Sequence, residues 1–136
     1  MTMTRFSALS LFVSLCCTSL APLAEGADLT GVWASDTAVC SKAFVKSGNR
    51  VSFAKGAELA GGGFIIEGRE IRGPTAVCRI KMTREEGAMT HMIAACATDI
   101  MLSDIQFSIR VIDVNRIVRI FPNMPEIELS YSRCSM

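Results

Sequence analysis

TAVCRIKMTREEGAMTHMIAACA, residues 75–97, decides the fold class. Two β-favouring pieces flank a polar centre, and the centre carries turn chemistry at Glu86-Gly87, so the stretch reads as an antiparallel hairpin. Partners across such a hairpin share a constant index sum, and Cys78 and Cys96 are centred on Gly87. Their sulfurs should therefore fall opposite each other on neighbouring strands and form a disulfide. Elimination then pairs Cys40 with Cys134, tying an early segment to the last strand; crossed pairing is the alternative. By chain entropy the short loop contributes about 3 kcal/mol and the long one somewhat more.

The same pattern extends in both directions from this hairpin. FVKSGNRVSFA (44–54) turns at Ser47-Gly48-Asn49, GFIIEGREIRG (63–73) at Gly68, and IQFSIRVIDVNRIVRIF (105–121) around Asp113 to Asn115. LTGVWAS (29–35) is a first short strand and IELSYSRC (127–134) the last. Between the first strand and the first hairpin, SDTAVCSKA offers Ser35 or Asp36 as an N-cap for one or two helical turns. In IQFSIRV, Ile105, Phe107, Ile109 and Val111 share one face, and Gln106, Ser108 and Arg110 share the other, the period of a half-buried strand. The chain carries no long helical periodicity. A sheet of about eight to ten antiparallel strands normally closes, because open edges invite aggregation.

Residues 1–26 read as a secretory signal peptide: Arg5, then an apolar run, then small residues with Ala24 and Gly26 placed for cleavage after Gly26. Removing this leader takes away Cys16 and Cys17 and leaves an even set of four cysteines with no close C-x-x-C pair. That set reads as two disulfides rather than a zinc site, and hence as an oxidising compartment, periplasmic or extracellular. The formal net charge is +1, with Lys and Arg scattered along the chain. Such a distribution argues against a nucleic-acid partner or a polybasic membrane surface, and no stable membrane insertion is expected once the leader is gone.

Gly31-Val32-Trp33 contains the only tryptophan. An exported β-rich chain with Gly-x-Trp on its first strand resembles the lipocalin-like barrels, and the resemblance implies that Trp33 plugs one barrel end. More loosely, the early Trp, a disulfide and the strand pattern are similar to the small secreted bacterial metalloprotease inhibitors. GGGFIIEG and the closing YSRC resemble uncharacterised exported proteins of alphaproteobacteria, a likeness that implies no activity. The chain departs from these groups in being short for a ligand-carrying lipocalin and in lacking an extended polar N-terminal arm. If the first strand pairs with the last, they run antiparallel, and Arg133 comes to lie near Gly31 and stacks on Trp33. Arg119 is the alternative.

Four motifs invite chemistry. AGGGFIIEG lacks the Lys-Ser/Thr and the helix that a phosphate loop needs, so its glycines serve a bulge or a close backbone approach. Met82, Met89, His91, Met92 and Met101 form a candidate copper set. On a strand, however, Met92 points away from Met89 and His91, towards Cys96 and its cross-strand neighbour Met82, so Met as core filler competes. His91 is the only histidine, so any Ser-His-Asp chemistry must pass through it. FPNMPE (121–126) combines the stiffness of Pro122 and Pro125 with the apolar Phe121 and Met124, as a preorganised partner-binding loop would.

These readings describe an all-β fold: a small antiparallel β-barrel of about eight to ten short strands, a short helical turn after the first strand, and two disulfides, over residues 27–136. The expected function is that of a non-catalytic exported binding protein, an inhibitor-like module acting on an envelope or extracellular protein. The alternatives are a carrier of a small apolar ligand and a periplasmic copper-binding protein. No catalytic residue, metal or cofactor is assigned. Ile66, Ile80, Phe107, Ile109, Val111, Ile120 and Leu129 are the inward candidates, and their bulk predicts a packed interior.

Overall fold

Alternation within the strands is what closes the sheet. The computed structural model describes residues 26–136, so the expected leader lies outside the described residues apart from Gly26. The strands are β1 Gly31–Ala34, β2 Phe44–Ser47, β3 Arg50–Phe53, β4 Gly63–Glu67, β5 Glu70–Arg72, β6 Val77–Glu86, β7 Met89–Ala97, β8 Leu102–Asp113, β9 Arg116–Phe121 and β10 Met124–Arg133. Eight of them form a closed antiparallel barrel in the order β1-β10-β9-β8-β7-β6-β5-β4, and β4 returns to β1. The predicted hairpin β2–β3 forms, but as a separate two-stranded sheet.

Inward positions recur with period two. Ile105, Phe107, Ile109 and Val111 of β8 face Met92, Ala94, Ile66, Ile71 and Ile117 in one core, as their alternation requires. The outer wall carries ion pairs such as Arg110–Glu128 at 2.7 Å and Lys81–Asp104 at 2.8 Å. Two members of the expected inward set behave otherwise. Ile120 pairs with Ser108 and Glu128 on the outward face, while Leu129 stands opposite Arg119 at the rim and remains 43% exposed.

A second core lies outside the barrel. Residues 35–62 leave β1 through a 3-10 turn, Thr37–Val39, capped by the Asp36 carboxylate, which accepts from Ala38 N–H at 2.8 Å. That turn runs into one α-helical turn, α1 (Cys40–Ala43), and the chain then folds back over the outer faces of β1 and β4. Val32, Ala34 and Ile65 meet Ala43, Phe44 and Ala57 there, and the Cys40–Cys134 disulfide staples this layer to the chain end beyond β10. Phe44 is buried and worth about 1.5–3 kcal/mol. Its ring also explains Gly63, where a Cβ would sit 2.8 Å from Phe44 Cζ and 2.6 Å from the Trp33 carbonyl oxygen, whereas Gly61 and Gly62 adopt positive φ of 102° and 89°.

Cys78 faces Cys96 and bonds to it, as predicted, but by a compound route. The hairpin turns on Gly87-Ala88, so Glu86 pairs with Met89 and the index sum near the turn is one higher than the cysteines need. A bulge at Lys81 restores the difference: Met82 pairs with Ile93, whereas Ile80 pairs with Ala94. Arg69 holds the bulge by donating from Nη2 to the carbonyls of Ile80 (2.8 Å) and Lys81 (3.0 Å). The bulge also turns Met82 outward, 61% exposed, away from the Met92 contact that a regular hairpin predicts.

Deleting Lys81 should therefore preserve the Cys78–Cys96 bond, because removal of the extra residue leaves a regular ladder in the same cysteine register. Non-reducing peptide mapping of the deletion variant checks this, and two free thiols would contradict it. Reduction of the wild type should lower stability, by about 3 kcal/mol for the short loop and about 5 kcal/mol for the long one.

Candidate functional site

The two ends of the barrel are built differently. Beside the start of β1 lie the turns Gly68-Arg69, Gly87-Ala88 and Val114-Asn115, and the fully buried Trp33 plugs this end next to a hollow of about 400 Å³ lined by Ala27, Leu29, Val114 and Arg133. Trp33 is fully buried and donates from Nε1 to the Leu29 carbonyl at 2.9 Å, which folds residues 26–30 inward. Arg133 pairs with Trp33 across β1 and β10, and its guanidinium lies 4.3 Å from the centroid of the Trp33 ring. A cation on an aromatic face is worth about 0.5–2 kcal/mol. Arg133 also donates to three carbonyls: Val114 (2.7 Å), Asp28 (3.0 Å) and Thr30. Gly31 makes room for this, since at φ +142° its Cβ position lies 2.5 Å from Arg133 Nη1. Arg133 and not Arg119 is thus the stacking residue.

The other end is open. The inward faces of β4, β5, β6, β8, β9 and β10, with the glycines before β4 and the turn at 73–76, enclose a cup of about 340 Å³. Its floor is Ile66, Ile71, Ile109 and the Cys78 side of the disulfide. Phe64, Ile105, Phe107 and Tyr131 form its walls, with Phe64 and Tyr131 in edge-on contact at 4.8 Å. The expectation of a packed interior is therefore corrected. Packing holds around Trp33, Ile109 and Ile117, but small residues, Gly62, Gly63, Gly73 and Ala76, ring the mouth and leave it unfilled.

Arg119 is the one charged residue lining the cup. Its guanidinium stacks against Phe107 (4.5 Å) and Phe121 (4.6 Å), and its Nε is buried without an acceptor. An unmet buried donor costs about 1–3 kcal/mol. Burial holds the Arg119 pKa below its ordinary value, an effect partly offset by the neighbouring Tyr131, and the group stays cationic. Residue counting singled out Arg119 only as a second choice for Trp33; the usable signal was its shared face with Phe107 and Phe121.

The other candidates are placed as follows. FPNMPE is a two-residue hairpin turn, Pro122-Asn123, between paired Phe121 and Met124. Pro125 to Ile127 bulge out of the ladder, where a missing N–H is tolerated. Phe121 turns towards Arg119, while Pro122, Met124 and Pro125 are exposed. His91 sits on the outer wall, its Nδ1 2.9 Å from Ser108 Oγ and its Nε2 3.6 Å from Glu86 Oε2. This Ser-His-Glu series does not make a hydrolase site. Ser108 is 3% exposed, shares its hydroxyl with Gln106 Nε2 at 3.2 Å, and lies mid-strand with ladder partners on both sides, leaving no free amides for an oxyanion. Of the copper set, Met82 and His91 share an outer hollow, whereas Met92 is in the core and Met101 is at the opposite end of the barrel. Among the described residues no His, Cys, Asp and Glu cluster suited to a metal occurs, and no helix is long and apolar enough to cross a membrane.

Gly31→Ala should destabilise the protein by about 1–3 kcal/mol, because a Cβ there meets both an unfavourable φ and Arg133. The single tryptophan makes its emission the readout, and a red shift is expected. Acid should act on the same closure. The backbone N–H and side chain of Thr30, and then Arg133, hold the Asp28 pKa below its ordinary 3.8. Its contribution is complete above that value and falls as pH drops through the lower folded pKa, so Trp33 emission should stay constant in neutral buffer and change only in acid. Comparison with protein-family models, curated proteins and solved structures finds no match to this chain.

Proposed function

We propose that the protein is a non-catalytic binding protein whose barrel holds a small apolar molecule in the open cup. One observation carries the reading: an apolar cavity of about 340 Å³, sealed at one end by Trp33 and Arg133 and open at the other. Ligand sites typically occupy about 300–1,000 Å³, with mostly apolar linings and few polar groups, so this cup suits a small molecule. The Gly31-Val32-Trp33 closure supports the lipocalin-like reading of the sequence. Two disulfides fit a non-cytoplasmic, oxidising compartment, and the apolar leader supports export to the periplasm or beyond.

A second reading, a module that binds an envelope or extracellular protein, draws on the exposed apolar residues of the turns at the open end. Ile100 and Leu102 are 94% and 83% exposed, and Met124, beside the neighbouring β9–β10 turn, is 46% exposed. On that reading the cup is incidental.

The uncharged dye Nile red should bind with a blue shift in emission, and Ala76→Phe, which fills the mouth, should weaken binding about tenfold or more, a loss of about 1.4 kcal/mol. Binding unchanged by Ala76→Phe, or absent in the wild type, would remove the cup as the ligand site.

A further inference from the structure

We propose that the occupant of the cup is an amphipathic carboxylate, with Arg119 binding its head group and the apolar walls holding its tail; this rests on the ligand-binding reading above. The two inward arginines provide an internal comparison. Arg133 stacks on one ring and has three carbonyl acceptors, so its hydrogen-bonding capacity is well used. Arg119 stacks on two rings, takes part in no salt bridge among the described residues, and keeps a buried Nε–H without an acceptor. Aromatic faces attract the cation but accept no hydrogen bond in the guanidinium plane. The buried Nε is itself out of reach of the cup, but the Nη end of that plane also matches a carboxylate with two parallel N–H···O bonds.

The rest of the lining narrows the ligand. A single cation suits a monoanion better than a phosphate dianion, and Tyr131 is the other side chain in the cup with a polar end. At about 30 Å³ per non-hydrogen group, the volume a water occupies in the liquid, the cup holds about ten such groups. Octanoate is of that size. Its tail would lie against Ile66, Ile71 and Ile109, with its head at the level of Arg119.

The test compares octanoate with octanol by titration calorimetry, at a pH well above the carboxylate pKa, on the wild type and on Arg119→Met and Arg119→Lys. The expected result is that wild type prefers octanoate by about tenfold or more, the usual range for a hydrogen bond to a charged group. Arg119→Met should abolish the preference, read as the ratio of octanoate to octanol affinity on the same variant, and Arg119→Lys should keep part of it. Trp33 emission verifies that each variant is folded. Equal affinity of wild type for acid and alcohol, or a preference that survives Arg119→Met, would overturn the anion assignment and leave the apolar cup standing. Failure of Nile red, octanol and octanoate alike would overturn both.

Discussion

The contact between Arg133 and Trp33 is the constraint on which the barrel depends. β1 is four residues long and pairs with β10 through two residue partners, Trp33–Arg133 and Ala34–Ser132. So short a ladder is a weak seam on its own. Stacking at 4.3 Å, together with donation to the carbonyls of Asp28, Thr30 and Val114, links β10 to the segment before β1 and to the β8–β9 turn. The seam is thus closed by a side chain as much as by backbone pairing, and Gly31 is the residue that gives that side chain room.

Sealing one end leaves the other free to open. The barrel interior is filled where Trp33, Ile109 and Ile117 meet, and empties towards Gly62-Gly63 and the turn at 73–76. β5 spans three residues, so β6 loses its partner near Lys81, where Arg69 takes over the free carbonyls. Among the described residues the buried side-chain polar atoms are satisfied except one, the Nε of Arg119.

Each disulfide serves a different core. Cys78–Cys96 crosses adjacent strands of the barrel and forms part of the cup floor. Cys40–Cys134, 94 residues apart in sequence, fastens the outer layer of α1 and β2–β3 against β1 and the chain end. Neither replaces hydrophobic burial. Both restrict the unfolded chain of a small domain, where a single core is marginal.

Local rules were enough for much of this. Alternation and turn residues determined the ten strands, and the requirement that a sheet close determined that Arg133 would meet Trp33. The cysteine pairing was also legible, although its arithmetic held only because a bulge at Lys81 compensates for the two-residue turn Gly87-Ala88. Tertiary structure decided what a single strand leaves ambiguous. In RIVRIF both faces carry apolar residues, because Val118 is covered on the outer wall while Ile117 is covered within. The phase of β9 was therefore set by a second bulge, between Val111 and Asp113, which placed Arg119 inside and Ile120 outside. Whether the interior was filled depended likewise on how side chains from six strands meet at one end, a property of the assembled barrel that no residue expresses alone.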